Sequence, residues 1–269
     1  MISCKEYTDK KKQELKEKVS TFNRKPVLAV IQVDNDAASN SYIAGKKRDC
    51  KEVGIECLHI TINSEKCSQE DLEVTVKDLN NAEHCTGIII QLPIPDKYNV
   101  EKLQQCISPE KDVDGFRRDS YFDPCTPKGI IDWLDYNSYD ICGKNVVVIG
   151  RSNIVGKPLV NMLIDKGATV TCCNSKTQGI RDYTNNADLV ISAIGKPKYF
   201  DATYFGQPDI IVDVGINRDE NGKLCGDINR EHVNEWCLNT YVTPVPGSIG
   251  LTTRLALIEN VIKAYELNN

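Results

Sequence analysis

The sequence predicts an α/β protein of two α/β domains flanking a cleft, the second a doubly wound parallel sheet of the Rossmann type. Two observations carry this. Short, near-continuously apolar runs such as Ile88, Ile89 and Ile90 alternate with helix-patterned segments, and strands of parallel sheets read this way because both of their faces are covered. The alternation also runs twice, once before and once after about residue 119. A length of 269 residues is enough for one large domain or for two ordinary ones with cores of their own.

Taken in order, an amphipathic opening helix (residues 4–20) leads to PVLAVIQV (26–33), a short apolar run of strand type. A helix from about Ala38 to Val53 follows and stops at Gly54; IECLHITI (55–62) alternates as a strand, and a helix from Gln69 to about Ala82 precedes TGIIIQLPIP (86–95). This order is β-α-β-α-β and calls for a parallel sheet. The second series comprises a helix from Pro127 to Tyr136, NVVVIG, a helix from Val155 to Lys166, ATVTCC, ADLVISAIG and PDIIVDVG, with a last helix from about Gly250 to Leu267. The expected domains are residues 1–118 with 250–269, and residues 119–249. Ligands of doubly wound sheets lie at the strand carboxyl ends, here Gly150, Asn174, Gly195 and Gly215. A cleft between the domains is the expected place for a small-molecule site.

The net charge of -5 argues against a nucleic-acid partner, and the Lys-rich start (Lys10, Lys11, Lys12, Lys16, Lys18) is interleaved with Glu14 and Glu17 as on a solvated helix. No apolar run approaches the roughly 20 residues of a membrane span, and the first thirty residues show no signal core with a cleavage site. The expectation is a cytoplasmic chain without a membrane partner. Twelve cysteines include no CxxC spacing and read as small buried hydrophobes of a reducing compartment. His59, His84 and His232 lack acidic or cysteine partners at ligand spacing, so no metal is expected.

Several stretches carry chemistry. SYIAGKK places Tyr42 and Lys46 four apart on the helix after the first strand, so a phenol and an amine share one face. A surface lysine beside a half-buried tyrosine has the same spacing; a lysine working near neutral pH needs desolvation or a neighbouring cation. QLPIP puts the Gln91 amide at the end of the third apolar strand, either as a strand-end cap or as an arm holding an amine or a carbonyl. KDVDGF holds Asp112 and Asp114 around one apolar residue before the turn at Gly115; a plain turn is the default, and one carboxylate accepting paired N–H donors of a 2-amino-4-oxopteridine is the functional alternative.

VVVIGRSNIVGKPL has the order strand, glycine, polar, glycine of a phosphate-binding turn, but five residues separate Gly150 from Gly156. The Walker turn has four, and a dinucleotide fingerprint needs a middle glycine where Ser152 stands. A helix N-terminus is still presented to an anion, with Arg151 and Ser152 beside it. The next strand ends in Asn174, Ser175, Lys176 and Thr177, neutral and cationic groups where an NAD site often carries a carboxylate, which favours NADP.

With these residues in view, the sequence resembles the bifunctional methylenetetrahydrofolate dehydrogenase/methenyltetrahydrofolate cyclohydrolase family, through YIAGK, QLPIP, KDVDGF, PCTPKGI, GRSNIVGKP, NSKT, DVGIN and TPVPGSIG in family order. The resemblance implies NADP-dependent oxidation of 5,10-methylene-tetrahydrofolate and hydrolysis of the methenyl product to 10-formyl-tetrahydrofolate, in a homodimer. It implies Lys46 as general acid/base, Tyr42 against the folate, Gln91 orienting Lys46, and Asp114 on the pterin, with Pro246 and Gly247 on the substrate. Gly150, Arg151, Ser152, Ile154, Gly156, Ser175 and Ile216 are implied as cofactor-binding.

Three departures fall near the implied folate site. VGxDPAS is here VDNDAAS, the segment RRDSYFD is shorter than usual, and PGGVGPMT is PGSIGLTT. If the position of Ser248 demands positive φ, serine there costs energy, and the expected consequence is a dehydrogenase step weakened more than the cyclohydrolase step. The rival readings are a monofunctional relative, a related NADP dehydrogenase for another small substrate, and a non-catalytic NADP-sensing protein on the same fold. Retention of Tyr42, Lys46, Gln91 and Asp114 weighs against them.

Overall fold

Strand β1 (Val27–Val33) is buried along its whole length, and its alternating side chains feed two separate cores. Leu28 and Val30 point to a layer with Ile43, Val53, Leu257 and Val261, whereas Ala29, Ile31 and Val33 join Leu72, Val76, Ile88 and Leu103 on the other face. A strand has side chains of period two, so one apolar run serves both layers. The computed structural model describes residues 1–268, with no side-chain description for Ala37 and Ala38. It divides into one unit of Asp9–Cys125 with the chain from Arg254 onward, and another of Met1–Thr8 with Thr126–Thr253.

In the first unit β1 is the middle of a parallel sheet ordered β2-β1-β3, with β2 at Glu56–Ile62 and β3 at Gly87–Gln91. Helix α1 (Cys4–Val19) begins in the other unit and ends in this one. Helix α2 (Ala37–Val53) starts at Asp36, whose carboxylate accepts the Ser39 N–H at 2.7 Å, and ends at Gly54 in the left-handed conformation. Helix α3 (Gln69–Asn81) opens with a capping box between Ser68 and Asp71. A short helix α4 (Val100–Cys106), capped by Asn99, adds a turn that the sequence pattern did not reveal, since seven residues are too few for a helical period to stand out.

The second unit is a parallel sheet ordered β10-β7-β6-β4-β5. Its strands are β4 (Asn145–Ile149), β5 (Thr169–Cys173), β6 (Leu189–Ser192), β7 (Ile210–Asp213) and β10 (Tyr241–Val242). An antiparallel pair, β8 (Asn217–Arg218) and β9 (Leu224–Cys225), projects from the loop after β7. Helices α5 (Cys125–Tyr136), α6 (Gly156–Asp165), α7 (Ile180–Thr184) and α8 (Arg230–Trp236) complete it, and α9 (Ile249–Leu267) starts here and continues into the first unit. The first eight residues pack with this unit: Trp133 Nε1 donates to the Ile2 carbonyl at 3.0 Å, and the Tyr7 and Tyr136 rings lie 4.8 Å apart. No helix among the described residues is long and apolar enough to cross a membrane.

Helices α5 and α9 meet at Gly129, where an added Cβ would stand 2.6 Å from the Thr252 carbonyl carbon and oxygen. Backbone on backbone leaves no flexible atom to yield. Gly129→Ala is therefore expected to lower the unfolding free energy by about 1–3 kcal/mol through overpacking, against the roughly 0.5–1 kcal/mol that alanine gains over glycine inside a helix. Urea denaturation measures the balance, and a raised midpoint would contradict it.

Candidate active site

Tyr42 and Lys46 stand one turn apart on α2, and both are half-buried. The Lys46 ammonium donates to Gln91 Oε1 at 3.0 Å. Gln91 ends β3, and its Nε2 donates to the Leu92 carbonyl at 2.7 Å. The amide thus performs both roles that its position allows. One end caps the strand, which forbids a flip, and the other end is left facing the amine.

The KDVDG segment is held alongside β3. Ile88 N–H donates to the Lys111 carbonyl at 2.8 Å, and Ile88 pairs with Asp112 as an isolated parallel bridge. The two aspartates divide the work. Asp112 is buried and accepts the Arg117 N–H at 2.8 Å, which makes it the turn-forming residue. Asp114 lies within electrostatic reach of Lys46: burial raises its carboxyl above the ordinary value, while the Lys46 charge and a bond from Cys125 draw it back. Asn260, buried on α9, donates from Nδ2 to the carbonyls of Val113 (2.9 Å) and Asp123 (3.1 Å) and so ties this loop down. Sequence reading passed over Asn260; its signal was an amide inside the apolar run LALIENVI.

Two of the departures prove to have local compensation. Asp34 stands where the family pattern has glycine and adopts φ 61°, and its carboxylate accepts the Ser64 N–H at 2.8 Å, which holds its pKa below the ordinary range. Aspartate is among the few residues that enter the left-handed region at modest cost. The proline of the same pattern falls at Ala37, whose side chain lies outside the described ones. In PGSIGLTT the left-handed residue is Gly247 (φ 106°), and the non-glycine left-handed positions among the described residues are Asp34, Ser138 and Lys198. Ser248 therefore carries no such strain, and the argument from strain for a weakened dehydrogenase step has no footing there. Pro246 and Gly247 belong to the second unit, in the segment after β10.

At the carboxyl edge of the second sheet, the turn from β4 to α6 folds back on itself. Gly150 has φ 122°, and a Cβ on it would meet the Ala193 carbonyl oxygen at 2.4 Å; a Cβ on Gly156 would meet the Gly150 oxygen at 2.1 Å. The five-residue spacing is thus the one this turn requires. Ser152 Oγ accepts the Val155 N–H at 3.2 Å, and α6 begins at Gly156, one residue later than its sequence pattern predicts. Arg151, Ser152 and Ile154 are exposed around this helix end, as are Ser175 and Lys176 after β5 and Ile216 after β7. The Lys176 N–H donates to Asn174 Oδ1 at 3.0 Å, which shapes the NSKT turn. A cradle that a single Cβ would fill, at an exposed helix N-terminus with Arg151 beside it, suits a dinucleotide pyrophosphate.

Beneath the same edge lies a pair of carboxylates that sequence reading did not single out. Asp227 accepts from Ser192 Oγ, the N–H groups of Ile194 and Lys196, and Asn217 Nδ2, at 2.8–3.0 Å. Asp213 accepts the N–H groups of Gly215, Asp227 and Ile228 at 2.9–3.0 Å, and burial pushes its pKa up to about 7. A Cβ on Gly215 would strike Asp227 and one on Gly226 would strike Asp213. The pair locks the loops after β6 and β7, where Gly195 and Ile216 stand.

An amine held by an amide on one α/β unit, with a glycine turn at the ligand edge of a doubly wound sheet on the other, suits a dinucleotide-binding class of α/β proteins. Within it, residues 2–114 match the family profile "Tetrahydrofolate dehydrogenase/cyclohydrolase, catalytic domain" and residues 124–269 match the "NAD(P)-binding domain" of the same name. The chain is 41% identical to the "Bifunctional protein FolD" of Bacillus mycoides (strain KBAB4) over 276 residues, covering 98% of this chain and 96% of that one. Its fold is similar to that of the bifunctional FolD methylenetetrahydrofolate dehydrogenase/cyclohydrolase of Campylobacter jejuni (TM-score 0.93, 37% identity, 99% and 98% of the two chains). It is also similar to the Trypanosoma brucei methylenetetrahydrofolate dehydrogenase-cyclohydrolase solved with NADP and an inhibitor (TM-score 0.91, 28% identity, 99% and 97%). This chain belongs to the tetrahydrofolate dehydrogenase/cyclohydrolase family.

Burial raises the Asp112 pKa to about 6 in the folded protein, from an ordinary 3.8. A carboxyl whose folded pKa is the higher stabilises fully below pH 4, and its contribution is lost as pH rises to about 6, worth at most about 3 kcal/mol. Asp112→Asn keeps an acceptor for the Arg117 N–H and cannot ionise. The stability difference between variant and unaltered protein should therefore grow in the variant's favour from pH 4 to pH 6.5, as read by denaturant titration; a difference independent of pH would refute the assignment.

Proposed function

We infer that the chain oxidises 5,10-methylene-tetrahydrofolate with NADP and hydrolyses the methenyl product to 10-formyl-tetrahydrofolate, with Lys46 as the general acid/base. The observation that carries the role of Lys46 is its bond to Gln91, the one contact that turns a helix-face lysine into a held, oriented amine. NADP, when bound, supplies the hydride acceptor. Gly150, Arg151, Ser152, Ile154 and Gly156 hold its pyrophosphate side, Ser175 its 2'-phosphate, and Ile216 offers apolar surface. Asp114 accepts the paired pterin N–H donors, and the Tyr42 ring lies against the folate.

In the hydrolytic half, water adds to the electrophilic methenyl carbon while Lys46 Nζ, as the free amine, takes the departing proton. The resulting ammonium returns that proton to the ring nitrogen as the C–N bond opens, and the hydroxyl proton leaves to solvent as the formyl C=O forms. Gln91 keeps the amine aimed throughout, because its own amide cannot turn. Pro246 and Gly247 complete the substrate side of the reading. A non-catalytic NADP sensor has no use for a lysine held in this way. A cytoplasmic homodimer is part of the same proposal, and the family resemblance is its support.

Replacing Lys46 by Met keeps the length of the side chain and removes the proton carrier. Hydrolysis of methenyl-tetrahydrofolate, followed by its absorbance, should fall by about 10²-fold or more, with NADP affinity unchanged. Retention of most of the hydrolysis rate would end the assignment.

The unaltered protein should bind NADP more tightly than NAD. Arg151→Ala or Ser175→Ala should narrow the gap, a charge-assisted phosphate contact being worth about 1.5–3 kcal/mol. Calorimetric titration giving equal affinities for both dinucleotides would refute this.

A further inference from the structure

The sheet of the second unit runs β10-β7-β6-β4-β5, so the glycine turn after β4 has β5 on one side and β6 and β7 on the other. A dinucleotide whose pyrophosphate lies at that turn places its two halves on opposite sides of β4. The NSKT turn, with Ser175 and Lys176, follows β5. The adenosine 2'-phosphate half belongs on that side, which leaves the loops after β6 and β7 to the nicotinamide half.

Both of those loops are gripped by one carboxylate. Asp227 is fully buried. Its Oδ2 accepts Ser192 Oγ at 3.0 Å and the Ile194 N–H at 2.8 Å, and its Oδ1 accepts the Lys196 N–H at 2.9 Å and Asn217 Nδ2 at 3.0 Å. Ile194 and Lys196 flank Gly195, and Asn217 follows Ile216, so Oδ1 bridges the two loops. A carboxylate has about four acceptor positions, and these donors fill them. Asp227 is itself held: its N–H donates to Asp213 Oδ1 at 2.9 Å, and its carbonyl accepts the Phe200 N–H at 3.0 Å. Asp213 also accepts the N–H of Gly215, next to Ile216, at 3.0 Å. A Cβ on Gly215 would stand 2.2 Å from Asp227 Oδ1, so the fit leaves no slack.

Buried charge is a costly way to hold a core together, since an apolar pair of similar volume avoids its desolvation. A carboxylate can do what an apolar side chain cannot. It fixes several N–H groups at set angles, here on either side of a glycine with φ 67°.

We propose that Asp227, set in place by Asp213, is a positioning residue for the nicotinamide half of NADP: it holds the loops after β6 and β7 in the shape that receives the ring. The inference rests on the reading of this edge as the NADP site. Asp227 acts through the backbone around Gly195 and Ile216. Without it, those loops must be ordered at the moment of binding, and that cost falls on NADP affinity. The adenosine side, beyond β4, does not share the cost. Nor does hydrolysis, whose Lys46 and Gln91 belong to the other unit.

The test is calorimetric titration of the full-length chain with two probes, NADP and adenosine 2',5'-bisphosphate, which is its adenosine half alone. Asp227→Asn puts N–H groups where one oxygen stood and so turns away two of the four donors. The Kd for NADP should rise about tenfold, while the Kd for the bisphosphate and the rate of methenyl-tetrahydrofolate hydrolysis stay within about twofold. A pair with a structural role alone would weaken both probes equally or neither, and either result would overturn the proposal. Should Asp227→Asn fold poorly, Ser192→Ala gives an independent reading, because it removes one buried hydroxyl donor at the end of β6 and leaves every loop residue in place. Its Kd for NADP should rise about threefold with that for the bisphosphate unchanged; an unchanged Kd for NADP would overturn the proposal as well. If the unaltered protein bound neither probe, the cofactor reading itself would fail, and this inference with it.

Discussion

The burial of β1 on both faces is the constraint from which the first unit is built. Because each of its side chains must enter one of two cores, β1 cannot slip against its neighbours by a residue without inverting both layers. That fixes the register with β3, in which Gln32 stands opposite Gln91. It also fixes where α2 leaves the sheet. An amine on α2 and an amide at the end of β3 then meet at 3.0 Å, although 45 residues separate them in sequence. The chemistry of the site is thus a consequence of sheet register, and Asp114 is brought to it by a segment that bridges to the same strand.

In the second unit the corresponding constraint is polar. The loops at the carboxyl edge of a doubly wound sheet must expose backbone to a ligand and still stay in place. Asp213 and Asp227 solve this by accepting the buried N–H groups of those loops, each fitted against a glycine beside its partner. Buried carboxylates are tolerable only when their acceptor capacity is filled. Here the fixed loops are those that carry Gly195 and Ile216, and the adjacent turn is closed by Gly150 and Gly156. Above this interior of hydrogen bonds, Arg151, Ser152 and Ser175 are exposed on the same edge.

The departures from the family pattern show how local chemistry absorbs sequence change. Asp34 takes the left-handed conformation that glycine would otherwise supply, and its carboxylate finds the Ser64 N–H. Ser248 meets no such demand, because Gly247 beside it takes the left-handed position. The identity of a residue at an aligned position says little about strain until the backbone angle there is known. The same holds for glycines: Gly45, Gly129 and Gly156 look alike in sequence, yet one faces a guanidinium, one a helix backbone and one the carbonyl of its own turn.

The sequence by itself determined the strands, the long helices and their order, because apolar periodicity and caps such as Gly54 act within a few residues of one another. Residue types and spacing left Tyr42, Lys46, Gln91 and the aspartates of KDVDGF with alternative readings; the family resemblance implied Lys46, Tyr42, Gln91 and Asp114 as a set. The sequence left the short elements α4, α7, α8 and β10 unread, since two to seven residues carry no period. Only the tertiary structure decided which aspartate of KDVDGF turns the chain and which feels the charge of the lysine, and whether Gln91 caps a strand or holds an amine. Both answers depend on groups brought close by folding: the Arg117 N–H for Asp112, and the Lys46 ammonium for Gln91 and Asp114. Asn260 and the Asp213–Asp227 pair were invisible for the same reason, because a side chain that ties down a loop is defined by its partner, and here the partners lie 14 to 147 residues away.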